Sequence, residues 1–184
     1  MMNELSTTVN REHVEVIVRR LVGLNCWHVS FVEELSPAIG LSLGEKCERA
    51  SPLLSSRAGS EFGRFEGEMN LFVSCPWRLR NASLILCSSV SESDQVHSTI
   101  AQLFNAHVKE VTLSNFTWDM CIVFSTGVVL ESFCAGDVTV EPRMRSDLSI
   151  RYGTRRLALG PGANARDYVR QGPIIKPTEE RKRH

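Results

Sequence analysis

The residue types that do covalent or metal chemistry are present but scattered. Nucleophilic catalysis asks for a Cys or Ser beside a His, with a third group to orient the base. His28 lies on the polar face opposite Trp27, His97 beside a helical apolar stripe and His107 at the start of a strand, and no spacing ties them to a nucleophile. There is no GxSxG turn, and the surroundings of the six cysteines match no thiol-enzyme pattern. Zinc sites show ligands two to four residues apart, and here Cys and His are dispersed. Asp119 and Glu131 flank a short turn and read as carboxylates on a solvated face. The glycines of LGPGAN precede no helix that would hold a phosphate. The sequence therefore assigns no catalytic residue, no metal ligand and no cofactor. What it offers is a surface: Phe72, Arg78 and Arg80 on the polar side of one strand, of types enriched at interfaces. Trp77, on the other side, belongs to the core.

That strand is the element around which the rest is arranged. In GEMNLFVSCPWRLR, residues 67–80, Met69, Leu71, Val73, Cys75, Trp77 and Leu79 recur at the strand period, and Pro76 marks a bulge or an edge. Before it, Val14, Ile17, Val18 and Leu21 predict a helix over 11–22, with Asn10 as N-cap and Gly23 as the left-handed terminator. Strands follow at 26–32 and 39–44, then a polar loop over 45–65 with a short strand near its end. Beyond the central strand come a short strand at 83–88 and a helix over 93–105, with Ser91 and Asp94 set as a capping box. Strands at 108–113 and 116–124, an STG turn, and strands at 128–134, 148–152 and 156–159 complete the pattern. A helix leading into strand, turn and strand occurs in both halves, which suggests a duplicated unit.

Bulk properties set the frame. At 184 residues, 42% hydrophobic and 23% charged, the chain has the size and composition of one globular domain. The formal charge is zero, but residues 1–140 carry a net of −6 and residues 141–184 a net of +6. Arginines decorating a solvated hairpin account for this most simply, and an acidic partner or a nucleic acid is the functional alternative. MMNELSTTVNRE has no basic start followed by an apolar core, and no run approaches the ~18 apolar residues of a membrane span. A cytoplasmic protein with reduced thiols and no membrane association is expected.

LVGLNCW, LSLGE, FEGEMNLFVSCPWRLR, SSVSESD before a helix, and the strand–STG–strand hairpin together resemble a group of uncharacterised bacterial proteins. Those proteins carry GEWHLW followed by a Cys and WR. The similarity runs from Leu21 to Tyr168 and is carried by Gly67, Glu68, Cys75, Trp77 and Arg78, with Met69 and Asn70 where the family has Trp and His. The resemblance implies a bacterial cytosolic protein and no established activity.

The resulting expectation is a single α+β domain over 1–170, two helices packed on a twisted, mostly antiparallel sheet or partly open barrel, and a flexible basic tail over 171–184. Its expected role is non-catalytic: a cytosolic interaction protein, of accessory or immunity type by analogy with small bacterial domains, with a protein partner. The alternatives are a small-ligand-binding domain or an enzyme, and third a nucleic-acid binder acting through the basic C-terminal quarter.

Overall fold

The computed structural model describes residues 4–33, 37–49, 61–114, 117–134, 148–160 and 164–170. In chain order the elements are β1 (Glu4–Thr8), α1 (Arg11–Arg19), β2 (Cys26–Val32), β3 (Ala38–Glu48), α2 (Glu61–Arg64), β4 (Phe65–Val73), β5 (Trp77–Arg80), β6 (Ile85–Ser88) and α3 (Ser93–Ile100). A 3-10 turn at Ala101–Leu103 follows, then β7 (Val108–Leu113), β8 (Met120–Phe124), β9 (Val129–Ser132), β10 (Leu148–Tyr152), β11 (Arg155–Gly160) and β12 (Asn164–Arg170). Seven strands form one sheet in the order β1-β12-β11-β10-β4-β3-β2, and five form another in the order β6-β5-β9-β8-β7. Every pairing in both sheets is antiparallel.

The fold class is therefore mainly β, which corrects the expected α+β arrangement of two helices on one sheet. Strand makes up 54% of the described residues, and α1, α2 and α3 are only nine, four and eight residues long. Helices of about two turns cannot cover a seven-stranded sheet. The apolar faces of the two sheets instead share one core, which takes in Met69, Leu71, Val73, Leu148 and Ile150 from the larger sheet and Leu79, Ile122, Phe124 and Leu130 from the smaller. The helices add Val14, Ile17, Val18, Val96 and Ile100 to it.

The cause lies within the central strand. Its alternation holds, since Met69, Leu71, Val73, Cys75, Trp77 and Leu79 are all buried. The backbone nevertheless breaks over residues 74–76, so that β4 pairs in the large sheet and β5 in the small one. Proline, lacking an amide donor, stands at the break.

The duplication expected from the sequence has a geometric counterpart. α1 leads into β2-β3-β4 in the large sheet, after which β5 and β6 cross into the small sheet. Likewise α3 leads into β7-β8-β9 in the small sheet, after which β10 and β11 cross into the large one. Where the halves meet, Asn25 and His107 form an antiparallel bridge. The amide of Gly23 bonds the carbonyl of Val108 at 2.8 Å, and the amide of Asn105 bonds that of Cys26 at 2.6 Å. Leu24 likewise accepts from Val108 at 3.0 Å, and Ala106 from Cys26 at 2.8 Å. Gly23 (φ +87°) and Asn105 (φ +62°) are the corresponding left-handed residues that turn each helix into its strand.

Local expectations fare unevenly. Asn10 caps α1, accepting from the His13 amide at 2.9 Å. The expected capping box of α3 is absent: Glu92 is the N-cap without a side-chain bond, and the Ser91 hydroxyl instead accepts from the Ser88 amide at 3.0 Å. β3 runs on to Glu48 where a loop was expected, because a bulge between Leu43 and Lys46 lets Lys46, Cys47 and Glu48 keep pairing with Gly67, Glu66 and Phe65. Gly67 is obligatory there, since a Cβ would sit 2.6 Å from the Leu43 amide nitrogen. β1 and β12 were not expected at all. Residues 50–60 of the expected loop and the expected tail over 171–184 lie outside the described residues.

Candidate functional site

Along each strand of the large sheet the residues that do not enter the core point outward, and the register lines them up in rows. One row runs His28, Ser42, Asn70, Arg151, Arg156 and Tyr168. The next runs Ser30, Gly40, Phe72, Ser149, Ala158 and Arg166. Within these rows Gly40, Ser42 and Ala158 are buried, and the other members are partly or fully exposed.

Phe72 stands 40% exposed in the middle of this face, with Gly40 and Ser149 as its cross-strand neighbours. The ring leans over Gly40, where a Cβ would meet its Cδ2 at 3.6 Å. Around it the charge is basic. Arg151 and Arg156 are directly opposed across β10 and β11, an arrangement that costs stability because like charges face each other. Arg166 is exposed on the adjoining row. Arg156 lays its guanidinium over the Tyr168 ring at 4.9 Å, and its Nε is buried without a hydrogen-bond partner among the described residues. Glu66 balances part of this charge, shared between Arg49 at 3.3 Å and Arg151 at 3.6 Å.

One edge of the face runs into a cleft of about 280 Å³ lined by Arg20, Arg151, Glu66, Glu68 and Asn70 among others. A second cleft of about 230 Å³ lies between α1 and β7, with Arg11, Glu15 and Arg19 on its wall. Both carry both signs of charge on their walls.

The three residues singled out from the sequence are not brought together. Phe72 lies in the large sheet, whereas Arg78 and Arg80 lie on β5 in the small one. There both arginines close on Glu131, Arg78 Nε at 2.5 Å and Arg80 Nε at 2.9 Å, and Arg78 also covers the Phe133 ring at 5.0 Å. Burial pulls the Glu131 carboxyl up, but the two guanidinium groups outweigh it and hold it below the usual range. Stability from a depressed carboxylate is present above its unfolded pKa and is lost as pH falls through the folded one. Glu131→Gln should therefore cost about 1 kcal/mol at pH 7, as partly exposed charged hydrogen bonds do, and the gap to the parent should close below about pH 4. Urea denaturation at pH 7 and pH 3.5 measures it. A gap that widens at low pH would contradict the pairing.

The remaining candidates separate further. His28 stacks on Phe62 at 4.0 Å, and burial followed by the nearby Arg49 lowers its pKa. His97 meets Phe31 edge-on at 5.8 Å. Burial pushes the Cys26 thiol up to about 12, which opposes thiolate formation there. Asp119 does not meet Glu131, for its carboxylate accepts from the Cys134 amide at 2.5 Å and from the Thr117 hydroxyl at 2.7 Å. Among the described residues, no group of three or more His, Cys, Asp or Glu side chains is placed to hold a metal ion.

One cluster had been missed. Asp167 on β12, with its side chain only 1% exposed, receives hydrogen bonds from Tyr152 Oη at 3.0 Å, His13 Nε2 at 3.0 Å and the Arg155 guanidinium. Burial and then this carboxylate push the Tyr152 hydroxyl up to about 12. The alternation of Ala165 and Asp167 against Arg166 and Tyr168 was the available signal, obscured by a charged residue at a core position.

Among the described residues no helix is long and apolar enough to cross a membrane. Comparison of the chain with protein-family models, with curated proteins and with solved structures found no match.

Proposed function

We propose that this chain is a non-catalytic interaction protein whose outer large-sheet face docks an acidic segment of a protein partner. The observation that carries this reading is an exposed Phe72 beside two arginines, Arg151 and Arg156, that oppose each other across neighbouring strands. An aromatic anchor with a basic rim is the composition of an interface centre. Opposed like charges lower folded-state stability, and an anionic partner relieves that cost on binding. A cytosolic, accessory or immunity-type role, as implied by the likeness to GEWHLW-type bacterial proteins, belongs to the same proposal and rests on analogy.

The test is affinity capture from the native host with the parent, with Phe72→Ser/Arg156→Glu, and with Arg78→Glu/Arg80→Glu. A partner held by the parent and by the β5 variant, but lost from the Phe72/Arg156 variant by tenfold or more, is the expected result. Retention by the Phe72/Arg156 variant would contradict the assignment. Capture of nucleic acid in place of protein, weakening steeply with salt, would replace it with the polyanion reading.

A further inference from the structure

We propose that Cys75 and Cys134 are a peroxide-oxidisable pair that forms a disulfide across the junction of the two sheets. Their sulfurs stand 3.2 Å apart, and the residues are 59 positions apart in sequence. Both are buried, at 4% and 3% exposure. The proximity follows from the fold. β5 and β9 pair with Trp77 opposite Ser132 and Arg78 opposite Glu131. Continued beyond the ends of those strands, the same register sets Pro76 opposite Phe133 and Cys75 opposite Cys134.

The Phe133 amide does bond the Pro76 carbonyl at 2.8 Å, so the ladder reaches that far. Hydrogen-bonded and non-hydrogen-bonded pairs alternate along an antiparallel ladder. Cys75 and Cys134 are the next residues along, and their sulfurs at 3.2 Å need only a small side-chain movement to close to the ~2.05 Å of a disulfide bond. Asp119 holds the Cys134 amide at 2.5 Å and so fixes the backbone on that side. The two positions also correspond under the duplication: each lies two residues past the third strand of its half, β4 or β9, where the chain crosses to the other sheet.

The oxidant is a small peroxide. The sulfur of one cysteine attacks the O–O bond, giving a sulfenic acid and one water. The second sulfur displaces the sulfenic oxygen, which leaves as a second water carrying the remaining thiol proton. Two thiols and one hydrogen peroxide give one disulfide and two waters. The bond would tie both crossovers together and lock the exchange of strands between the sheets.

The experiment uses the full chain carrying Cys47→Ser, because Cys47 is the exposed thiol that would compete. The reduced protein is treated with a few equivalents of hydrogen peroxide, its thiols are titrated, and its peptides are mapped by mass spectrometry without reduction. The expected outcome is loss of two thiols, a Cys75–Cys134 cross-linked peptide, and a rise in Tm on the order of 5–10 °C that dithiothreitol reverses. Adding Cys134→Ala should abolish both the thiol loss and the Tm rise; should that variant not fold, the peptide map of the Cys47→Ser protein decides alone. Both cysteines left reduced, oxidised without a cross-link, or joined to other cysteines would overturn the proposal, and a cross-link with unchanged Tm would overturn the locking.

Discussion

Replacing Asp167 by Ala is expected to lower the unfolding free energy by about 1.5–3 kcal/mol, the cost of losing hydrogen bonds to a buried charge whose partners Arg155 and His13 are 45% and 38% exposed and can turn to water. The carboxylate is enclosed by β12, β11, β10 and α1, and three donors converge on its Oδ2: His13, Tyr152 and Arg155. Removing it takes the acceptor from the Tyr152 hydroxyl, whereas the Arg155 guanidinium can be rehydrated. Urea denaturation followed by far-UV circular dichroism measures the loss, and a change below about 1 kcal/mol would show that the cluster does not hold the strand. A functional effect should follow. β12 presents Arg166 and Tyr168 on the outer face while Asp167 fixes it from beneath, so partner affinity should fall along with stability.

Trp77→Ala should cost more, about 3–5 kcal/mol, by the cavity it leaves. Trp77 is among the largest fully buried side chains, meets Phe31 edge-on at 6.1 Å, and donates its Nε1 hydrogen to the Pro37 carbonyl at 2.7 Å. That contact joins the first strand of the small sheet met along the chain to the start of β3 in the large one. Trp77→Phe keeps most of the volume and loses the hydrogen bond, and should cost about 1–2 kcal/mol. Equal losses for Ala and Phe would point to the hydrogen bond, and not the volume, as the main contribution.

The sequence displayed much of this architecture wherever apolar alternation was strong. Residues 69–79 and 120–124 alternate without interruption and are buried on the expected side. Asn10 and Gly23 bounded the first helix because capping is a local property of short side chains and of φ. The sheet assignment was not local. Nothing between Val73 and Trp77 other than Pro76 says that one half of the alternating run leaves its sheet, and this is why a single sheet with a helical layer was expected. β1 and β12 were illegible for another reason: ELSTT has few apolar residues, and the ARDYV segment places a carboxylate where the period calls for a hydrophobe.

The candidate surface was legible in part. Phe72 was identified because a large aromatic broke the polar face of its strand. Arg78 and Arg80 were grouped with it on the assumption of one continuous strand, and the break separates them and ties them to Glu131. Arg151, Arg156 and Arg166 were visible only as the +6 of the C-terminal quarter, because their alignment with Phe72 depends on the pairing of β4 with β10, from residues about 80 positions apart.

The most direct test of the central claim is a two-dimensional amide NMR titration of the chain with the captured partner or its acidic segment. The predicted result is a continuous set of shifted amides over Phe72, Ser149, Arg151, Arg156 and Arg166, with β5 and β9 unmoved. Shifts confined to Arg78, Arg80 and Phe133 on the small sheet would contradict it.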